Sequence, residues 1–125
     1  MKKIISTEKA PKAIGPYSQA VLLNGVVYCS GQIPLDPSSM EIVGKTAKEQ
    51  AVQVMKNLSA VLEAAGSDFS KVVKCSIFLD DMGDFAEVNE VYGSNFTSEP
   101  PARETVAVQT LPKNVLVEIS CIAHL

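Results

Sequence analysis

The chain contains 125 residues, of which 46% are hydrophobic and 20% are charged, a composition typical of one globular domain with a buried core. The net charge of −3 and the lack of a lysine cluster argue against a nucleic-acid-binding surface. No apolar run reaches the length of a transmembrane helix, and no apolar segment follows Met1-Lys2-Lys3 as in a signal peptide. We therefore expect one domain over residues 1–125 that binds neither nucleic acid nor a membrane.

The cysteines and the histidine give no sign of a metal site. Cys29, Cys75 and Cys121 each lie in an apolar, strand-like segment, and their spacing is not that of metal ligands. We interpret them as small buried side chains, unpaired in a reducing compartment, which favours a cytoplasmic location. His124 is penultimate, and because chain ends tend to fray we expect no catalytic role for it. The sequence suggests neither a metal nor an organic cofactor.

The first predicted elements are two strands joined by a tight turn. Gln19–Leu23 and Val26–Ser30 are short apolar runs, and the Asn24-Gly25 pair between them is the strongest short-range signal for a two-residue hairpin. Gly31-Gln32-Ile33-Pro34 is expected to end the second strand.

The clearest helix of the chain follows this hairpin. Thr46-Ala47-Lys48-Glu49 has the pattern of a capping box, in which the hydroxyl and the carboxylate each accept from a backbone N–H group. Apolar residues then recur at helical spacing as far as Ala65. Gly66 is the expected stop.

A second strand and helix are predicted after it. Val72–Leu79 is expected to be a strand, and Asp81 to cap a helix over Met82–Asn95 that ends before Pro100-Pro101. The apolar face of this helix comprises Phe85, Val88, Tyr92 and Phe96. Asn89 shares part of that face, although a core residue would be expected there.

The last two predicted strands complete a layered fold. They are Arg103–Val108 and Val115–Ala123. Two helices with one-sided apolar stripes should lie on one face of a mixed sheet. Because Val72–Leu79 and Val115–Ala123 offer apolar residues on both faces, a partner should cover the opposite face, and we predict a homo-oligomer.

Arg103 is the only arginine among eleven basic residues. Its guanidinium is planar, permanently charged and able to bind a carboxylate bidentately, which lysine cannot do. A surface or ion-paired arginine is the alternative interpretation.

Glu118 is the second unusual residue, since it lies in an apolar strand and is the only formal charge after Lys113. A carboxylate there is costly unless it is paired, hydrogen-bonded or functional. It could instead face solvent together with Ser120, but Leu116 and Ile122 share that face by alternation, which weakens this alternative.

Four motifs in the chain resemble those of the RidA (YjgF) family of reactive-intermediate deaminases. In order, they are Ala13-Ile14-Gly15-Pro16-Tyr17-Ser18-Gln19-Ala20, Ser30-Gly31-Gln32-Ile33-Pro34, Pro101-Ala102-Arg103 and Val117-Glu118-Ile119. The resemblance extends over essentially the whole chain. It implies a chorismate-mutase-like α+β fold and a homotrimer, in which the sheets form an inner barrel and the active sites lie between subunits.

The resemblance also implies an activity, the hydrolysis of 2-imino acids such as 2-iminobutanoate and 2-iminopropanoate to 2-oxo acids and ammonia. Arg103 would clamp the substrate carboxylate, and Glu118 would position the attacking water. The remaining implied site residues bind substrate through backbone groups or line the pocket. They are Tyr17, Ser30, Gly31, Asn89 and Thr105. A partly desolvated carboxylate suits this chemistry, because burial raises its pKa toward neutrality.

Two positions depart from the common family pattern. Thr105 stands where many bacterial members have cysteine, and since the family chemistry uses the backbone there, hydrolysis should survive. Glu104 replaces a small residue, but on a strand it points away from Arg103 and should not neutralise it.

Two other functions compete with the deaminase. A non-catalytic protein that binds small carboxylates such as 2-oxo acids would need Arg103, but Glu118 would be unnecessary or repulsive in it. An endoribonuclease or translation inhibitor is disfavoured by the acidic composition and the lack of metal ligands.

Overall fold

The computed structural model describes all 125 residues, which form one six-stranded mixed sheet with two α-helices packed on one face. The elements are β1 (Lys3–Ile5), β2 (Ala20–Leu23), β3 (Val26–Gln32), α1 (Ala47–Ala65), β4 (Val72–Leu79), α2 (Phe85–Gly93), β5 (Ala102–Ala107) and β6 (Val117–His124). The strand order is β1-β2-β3-β6-β4-β5, and only the β4–β5 pair is parallel. The predicted α+β class, with a mixed sheet and two helices, is confirmed.

The β2–β3 hairpin turns at the predicted dipeptide. Asn24 and Gly25 have φ values of 51° and 78°, the left-handed geometry that a two-residue turn between antiparallel strands requires. Leu23 pairs with Val26 directly across it. β3 runs to Gln32, two residues beyond the predicted end, because it continues to pair with β6.

α1 begins and ends where the sequence predicts. The Thr46 side chain accepts from the Glu49 N–H, and the Glu49 carboxylate accepts from the Thr46 N–H, so the capping box is complete. Gly66 ends the helix with φ of 87°, a conformation that a residue without Cβ adopts readily. The buried stripe of α1 packs against β3 and β6.

The second helix is shorter than predicted, so the predicted range Met82–Asn95 is wrong at both ends. Asp81 caps only a 3₁₀ turn, accepting from the Gly83 N–H at 2.8 Å, and α2 starts after that turn at Phe85. At the other end the Ser94 hydroxyl and the Asn95 amide both donate to the Val91 carbonyl. These side chains compete with the backbone N–H groups that would extend the helix.

Apart from the end of β3, the strand predictions differ most at β1 and at the start of β6. Elsewhere the ends are displaced by one residue, since β2 starts at Ala20, β5 spans Ala102–Ala107 and β6 ends at His124. β1 was not predicted, because a three-residue strand carries too little alternation to be detected and forms only by pairing with β2. β6 starts at Val117 rather than Val115, since the preceding Pro112–Asn114 segment forms a 3₁₀ turn.

The core lies between the sheet and the helices, and the three cysteines are part of it. Cys121 pairs with Cys29 on one side and with Cys75 on the other, so they form a row across β3, β6 and β4. All three are buried and free, as predicted. Burial raises the pKa of the Cys75 thiol, while a hydrogen bond with Cys29, together with burial, raises that of Cys121. No group of three or more His, Cys, Asp or Glu side chains is arranged to hold a metal ion.

The sheet face away from the helices, here called the open face, is mixed in character. Its apolar side chains include Tyr28, Phe78, Val106 and Ile122. Tyr28 is 46% exposed and Val106 42% exposed. A Lys74–Glu104 ion pair of 3.2 Å lies among them. The predicted homo-oligomer, which would cover this face, stays a prediction.

Neither helix is long and apolar enough to cross a membrane.

Candidate active site

A cavity of about 590 Å³ opens beside β3 and β6 and contains the Glu118 carboxylate. Tyr17, Ser30 and Gly31 also line it, so four of the predicted site residues lie together. Two cations, Lys12 and Lys113, belong to the same wall. We call this group of residues the Glu118 half-site.

A bulge in β3 shapes the floor of this half-site. Between the Cys29–Cys121 and Gln32–Ile119 pairs, β3 contributes two residues and β6 only Ser120. A bulge of this kind leaves backbone groups outside the ladder and re-aims the neighbouring side chains. A Cβ atom on Gly31 would lie 2.9 Å from the Glu118 Cδ atom and closer still to one carboxylate oxygen. Gly31 is therefore needed for the close approach of Glu118.

Glu118 is partly buried and has no basic partner. It lies on the open face of β6, between Val117 and Ile119, whose side chains are fully buried on the helix face. Neither of the two ion pairs in the protein includes it. Burial raises its pKa above the ordinary value for a carboxyl group. A carboxylate of this kind can take up and release a proton closer to neutral pH than an exposed one.

Tyr17 and Ser30 form structural contacts as well as lining the cavity. The Tyr17 hydroxyl accepts from the Ile14 N–H at 3.4 Å. The Ser30 hydroxyl donates to the Ser18 carbonyl, and the Ser30 N–H donates to the Gln19 carbonyl at 2.9 Å. These bonds hold the segment before β2 against β3, where it forms the cavity wall.

Gln19 also lines this cavity, although it was not among the predicted site residues. Its side chain is 3% exposed, accepts from the Thr7 N–H at 2.7 Å and donates to the Pro11 carbonyl at 2.8 Å. Pro11 and Gln19 both line the cavity. A polar residue at the start of an otherwise apolar strand was the available signal, since a buried amide must find partners.

Arg103 lies elsewhere, at the exposed start of β5. Its guanidinium donates to the Asn89 Oδ1 atom and lies 5.4 Å from the ring centroid of Phe85 and 5.1 Å from that of Tyr92. No carboxylate of the chain pairs with it, so the ion-paired alternative is wrong. Its exposed position is also that of the surface arginine considered as the other alternative. The remaining guanidinium donors are free to bind an anion. We call Arg103, Asn89 and Thr105 the Arg103 half-site.

The two residues after Arg103 behave differently from each other. Glu104 faces the open side, where it pairs with Lys74 and hydrogen-bonds to Ser76, so the prediction that it leaves Arg103 unneutralised is confirmed. These contacts lower the pKa of the Glu104 carboxyl, chiefly through the Ser76 hydroxyl. Thr105 faces the same side as Arg103, and its hydroxyl oxygen is buried without a hydrogen-bond partner.

The two half-sites do not meet within one chain. Arg103 pairs with Cys75 of β4 and points to the helix face, whereas Glu118 pairs with Phe78 and points to the open face. β4 also separates their strands, because it lies between β5 and β6. One chain therefore presents an anion-binding group and a carboxylate cavity on opposite sides of its sheet.

The α+β fold and the four motifs indicate a protein of the RidA type, and comparison with known proteins supports that class. The family described as Endoribonuclease L-PSP matches residues 7–125. The chain is 58% identical over 124 residues to Protein DfrA of Myxococcus xanthus, covering 98% of this chain and 95% of that protein. It is 50% identical over 123 residues to a Mus musculus protein named 2-iminobutanoate/2-iminopropanoate deaminase, covering 98% and 91% respectively.

A solved structure agrees with the sequence comparison. The E. coli protein TdcF, solved with bound serine, matches the chain with a TM-score of 0.94 and 42% identity over 98% of each chain. The chain belongs to the endoribonuclease L-PSP family, to which the RidA proteins belong. Some of its relatives are named as imine deaminases and others carry different names.

Proposed function

We propose that this protein hydrolyses 2-imino acids, such as 2-iminobutanoate and 2-iminopropanoate, to 2-oxo acids and ammonia. The observation that carries the proposal is that one chain provides both a guanidinium that no carboxylate neutralises and a partly buried carboxylate that has no basic partner. The first suits the carboxylate of an imino acid, and the second suits proton transfer to and from water. The mouse relative named as such a deaminase, at 50% identity, supports the same substrates.

In the proposed reaction, Arg103 binds the substrate carboxylate bidentately and Glu118 holds a water molecule against C2. Glu118 accepts a proton from that water while the water oxygen bonds to C2 of the protonated imine. The proton then passes to the nitrogen of the resulting carbinolamine. Loss of ammonia and of the hydroxyl proton leaves the 2-oxo acid. Holding water and substrate together lowers the entropic part of the barrier.

We further propose that the working form is a homotrimer whose active sites lie between subunits. Arg103 and Glu118 point to opposite faces of one sheet, so a single chain cannot apply both to one small substrate. A neighbouring copy that covers part of the open face can place its Arg103 half-site beside the Glu118 half-site of the first chain. Exposed Tyr28 and Val106 would be buried in such an assembly.

The proposal is tested by generating 2-iminobutanoate with a threonine dehydratase and trapping the remaining imine with semicarbazide. We expect the wild-type protein to deplete the imine, and Arg103→Ala to lose this activity. Arg103→Lys should lose about ten- to a hundredfold in kcat/KM, because a point charge cannot reproduce the paired donors. Wild-type protein that is trimeric but leaves the imine untouched would refute the deaminase function.

A carboxylate-binding protein without catalysis is separated from the enzyme by Glu118→Gln. This change keeps the side-chain shape and removes the ionisable group. In an enzyme, turnover falls while binding of 2-oxobutanoate, measured by calorimetry, persists. Binding of 2-oxobutanoate to wild-type protein with no turnover would favour the binding protein instead.

A further inference from the structure

The guanidinium of Arg103 is held by one face of α2. Phe85, Asn89 and Tyr92 are spaced four and then three residues apart, which places them on one side of a helix. The Cζ atom of Arg103 is 5.4 Å from the Phe85 ring centroid and 5.1 Å from the Tyr92 ring centroid. Both distances are within the range of a favourable cation–π contact. The Asn89 amide oxygen accepts from the same guanidinium.

Tyr92 itself is fixed by packing. It is 4% exposed, and its ring lies 4.8 Å from that of Phe96, which in turn packs edge-on against Phe69 at 5.5 Å. The Tyr92 hydroxyl is buried beside the Cys75 thiol, and burial raises its pKa. The ring rather than the hydroxyl therefore makes the contact with Arg103, and the ring cannot move freely.

An uncharged support has a specific advantage for a residue that must bind an anion. A carboxylate beside Arg103 would also hold the guanidinium, but it would neutralise the charge and compete with the ligand. Aromatic rings and an amide oxygen restrict the Arg103 side chain without neutralising its charge or competing with the anionic ligand. The only nearby acid on β5, Glu104, is kept on the other face by Lys74 and Ser76.

We propose that Phe85 and Tyr92 are positioning residues, which fix the Arg103 guanidinium before a carboxylate arrives. Their effect on turnover rests on the proposed function, whereas the fixation of Arg103 does not. A side chain that is already ordered loses less conformational entropy when it binds, so affinity for the carboxylate should depend on the two rings.

The test uses the fact that Arg103 is the only arginine of the chain. Arginine labelled with ¹⁵N gives a single Nε–Hε signal, and its order parameter reports how firmly the guanidinium is held. We expect a rigid signal in the wild type and in Tyr92→Phe, which keeps the ring. Phe85→Leu should lower the order parameter.

Kinetics supply the second readout. Phe85→Leu should raise KM for 2-iminobutanoate about two- to fivefold with little change in kcat, because the contact assists carboxylate binding in ground and transition states alike. Phe69→Leu is the matched control. It removes a partly buried ring of the same cluster that does not contact Arg103 directly, and it should change the signal and KM much less than Phe85→Leu does.

The outcomes are distinguishable from a failure of the proposed function. If wild-type protein does not hydrolyse the imine, the NMR measurement still decides whether the rings hold Arg103. An unchanged order parameter in Phe85→Leu overturns the proposal. So does a change in Phe69→Leu as large as that in Phe85→Leu, because the effect would then be general loosening of the cluster.

Discussion

At the scale of single residues, Glu118 shows the conflict between folding and chemistry. Burial raises its pKa, so the folded protein holds the proton more tightly than the unfolded chain. Stability from this group therefore falls as pH rises from the ordinary carboxyl pKa through the raised one, because the ionised form is disfavoured in the folded state. A residue that costs stability at neutral pH and has no partner is more easily explained by function than by folding.

Glu118→Gln should therefore separate stability from activity. Below the ordinary carboxyl pKa the variant and the wild type should unfold at similar temperatures, and at neutral pH the variant should be equally or more stable. Imine hydrolysis should fall about a hundredfold or more, the usual range for removal of an acid–base group. Thermal unfolding scans across pH and the semicarbazide assay give both numbers. If Glu118→Gln were less stable than the wild type at neutral pH but not at low pH, burial would not be what disfavours the ionised Glu118 carboxylate.

Substitution of Gly31 should reduce the hydrolytic activity about as much as substitution of Glu118, although Gly31 has no side chain. In Gly31→Ala the new methyl group would overlap the Glu118 carboxylate, so the carboxylate must move. We expect most of the hydrolytic activity to be lost and the protein to be destabilised by about 1–3 kcal/mol.

Gly93→Ala is the matched control for stability. A Cβ there meets no atom within 4 Å, and Gly93 ends α2 without a positive φ. This change should leave the free energy of unfolding unchanged or raise it by up to about 1 kcal/mol. Chemical denaturation compares the two variants, and equal effects would show that the Glu118 contact is not the cause.

At the scale of elements, the two helices differ in how their ends are determined. α1 has a capping box and a left-handed glycine, so its limits follow from contacts a few residues long. α2 starts after a 3₁₀ turn and has no side-chain cap at Asp84. Its position therefore depends on the packing of Val88 and Tyr92 in the hydrophobic core, where α2 lies beside α1. The same packing brings the support for Arg103 into place.

Thr46→Ala tests the local origin of the α1 boundary. Losing the capping hydroxyl should lower the free energy of unfolding by about 1 kcal/mol, measured by denaturant titration. Thr46 neither lines the Glu118 cavity nor contacts Arg103, so imine hydrolysis at 25 °C should be unchanged. Thr46→Ser keeps the acceptor and should restore most of the stability, whereas an equal loss in Thr46→Ser would exclude the cap as the cause.

At the scale of the whole molecule, the separation of Arg103 and Glu118 dictates how an active site can form. If the site lies between subunits, Arg103→Ala and Glu118→Gln chains can complement each other. In a random mixture of equal amounts, a site with both intact residues forms at about one interface in four, which is one half multiplied by one half. Co-expression of the two chains should therefore recover about a quarter of wild-type activity.

Two controls accompany this measurement. Each variant expressed alone should be inactive, and light scattering should give three times the mass of one chain for the wild type and the mixed sample. Trimers without recovered activity would mean that Arg103 and Glu118 of one chain serve the same site. A mass equal to that of one chain would rule out an active site between subunits.

Features that depend on neighbouring residues in the chain could be predicted from the sequence. The Asn24-Gly25 turn, the α1 cap at Thr46 and the Gly66 stop all follow from contacts within a few positions, and all are found in the structure. The alternation in β6, which places Glu118 opposite the core, is local in the same sense. The choice of Arg103 and Glu118 as site candidates also came from their sequence contexts, together with the family motifs.

Features that depend on which strands become neighbours could not be predicted from the sequence and are visible only in the folded chain. β1 exists because β2 pairs with it, and the bulge at Gly31 exists because β3 and β6 differ by one residue across it. The opposite orientations of Arg103 and Glu118 follow from β4 lying between their strands with a particular register. Such pairings join residues far apart in the chain, and no local pattern specifies them.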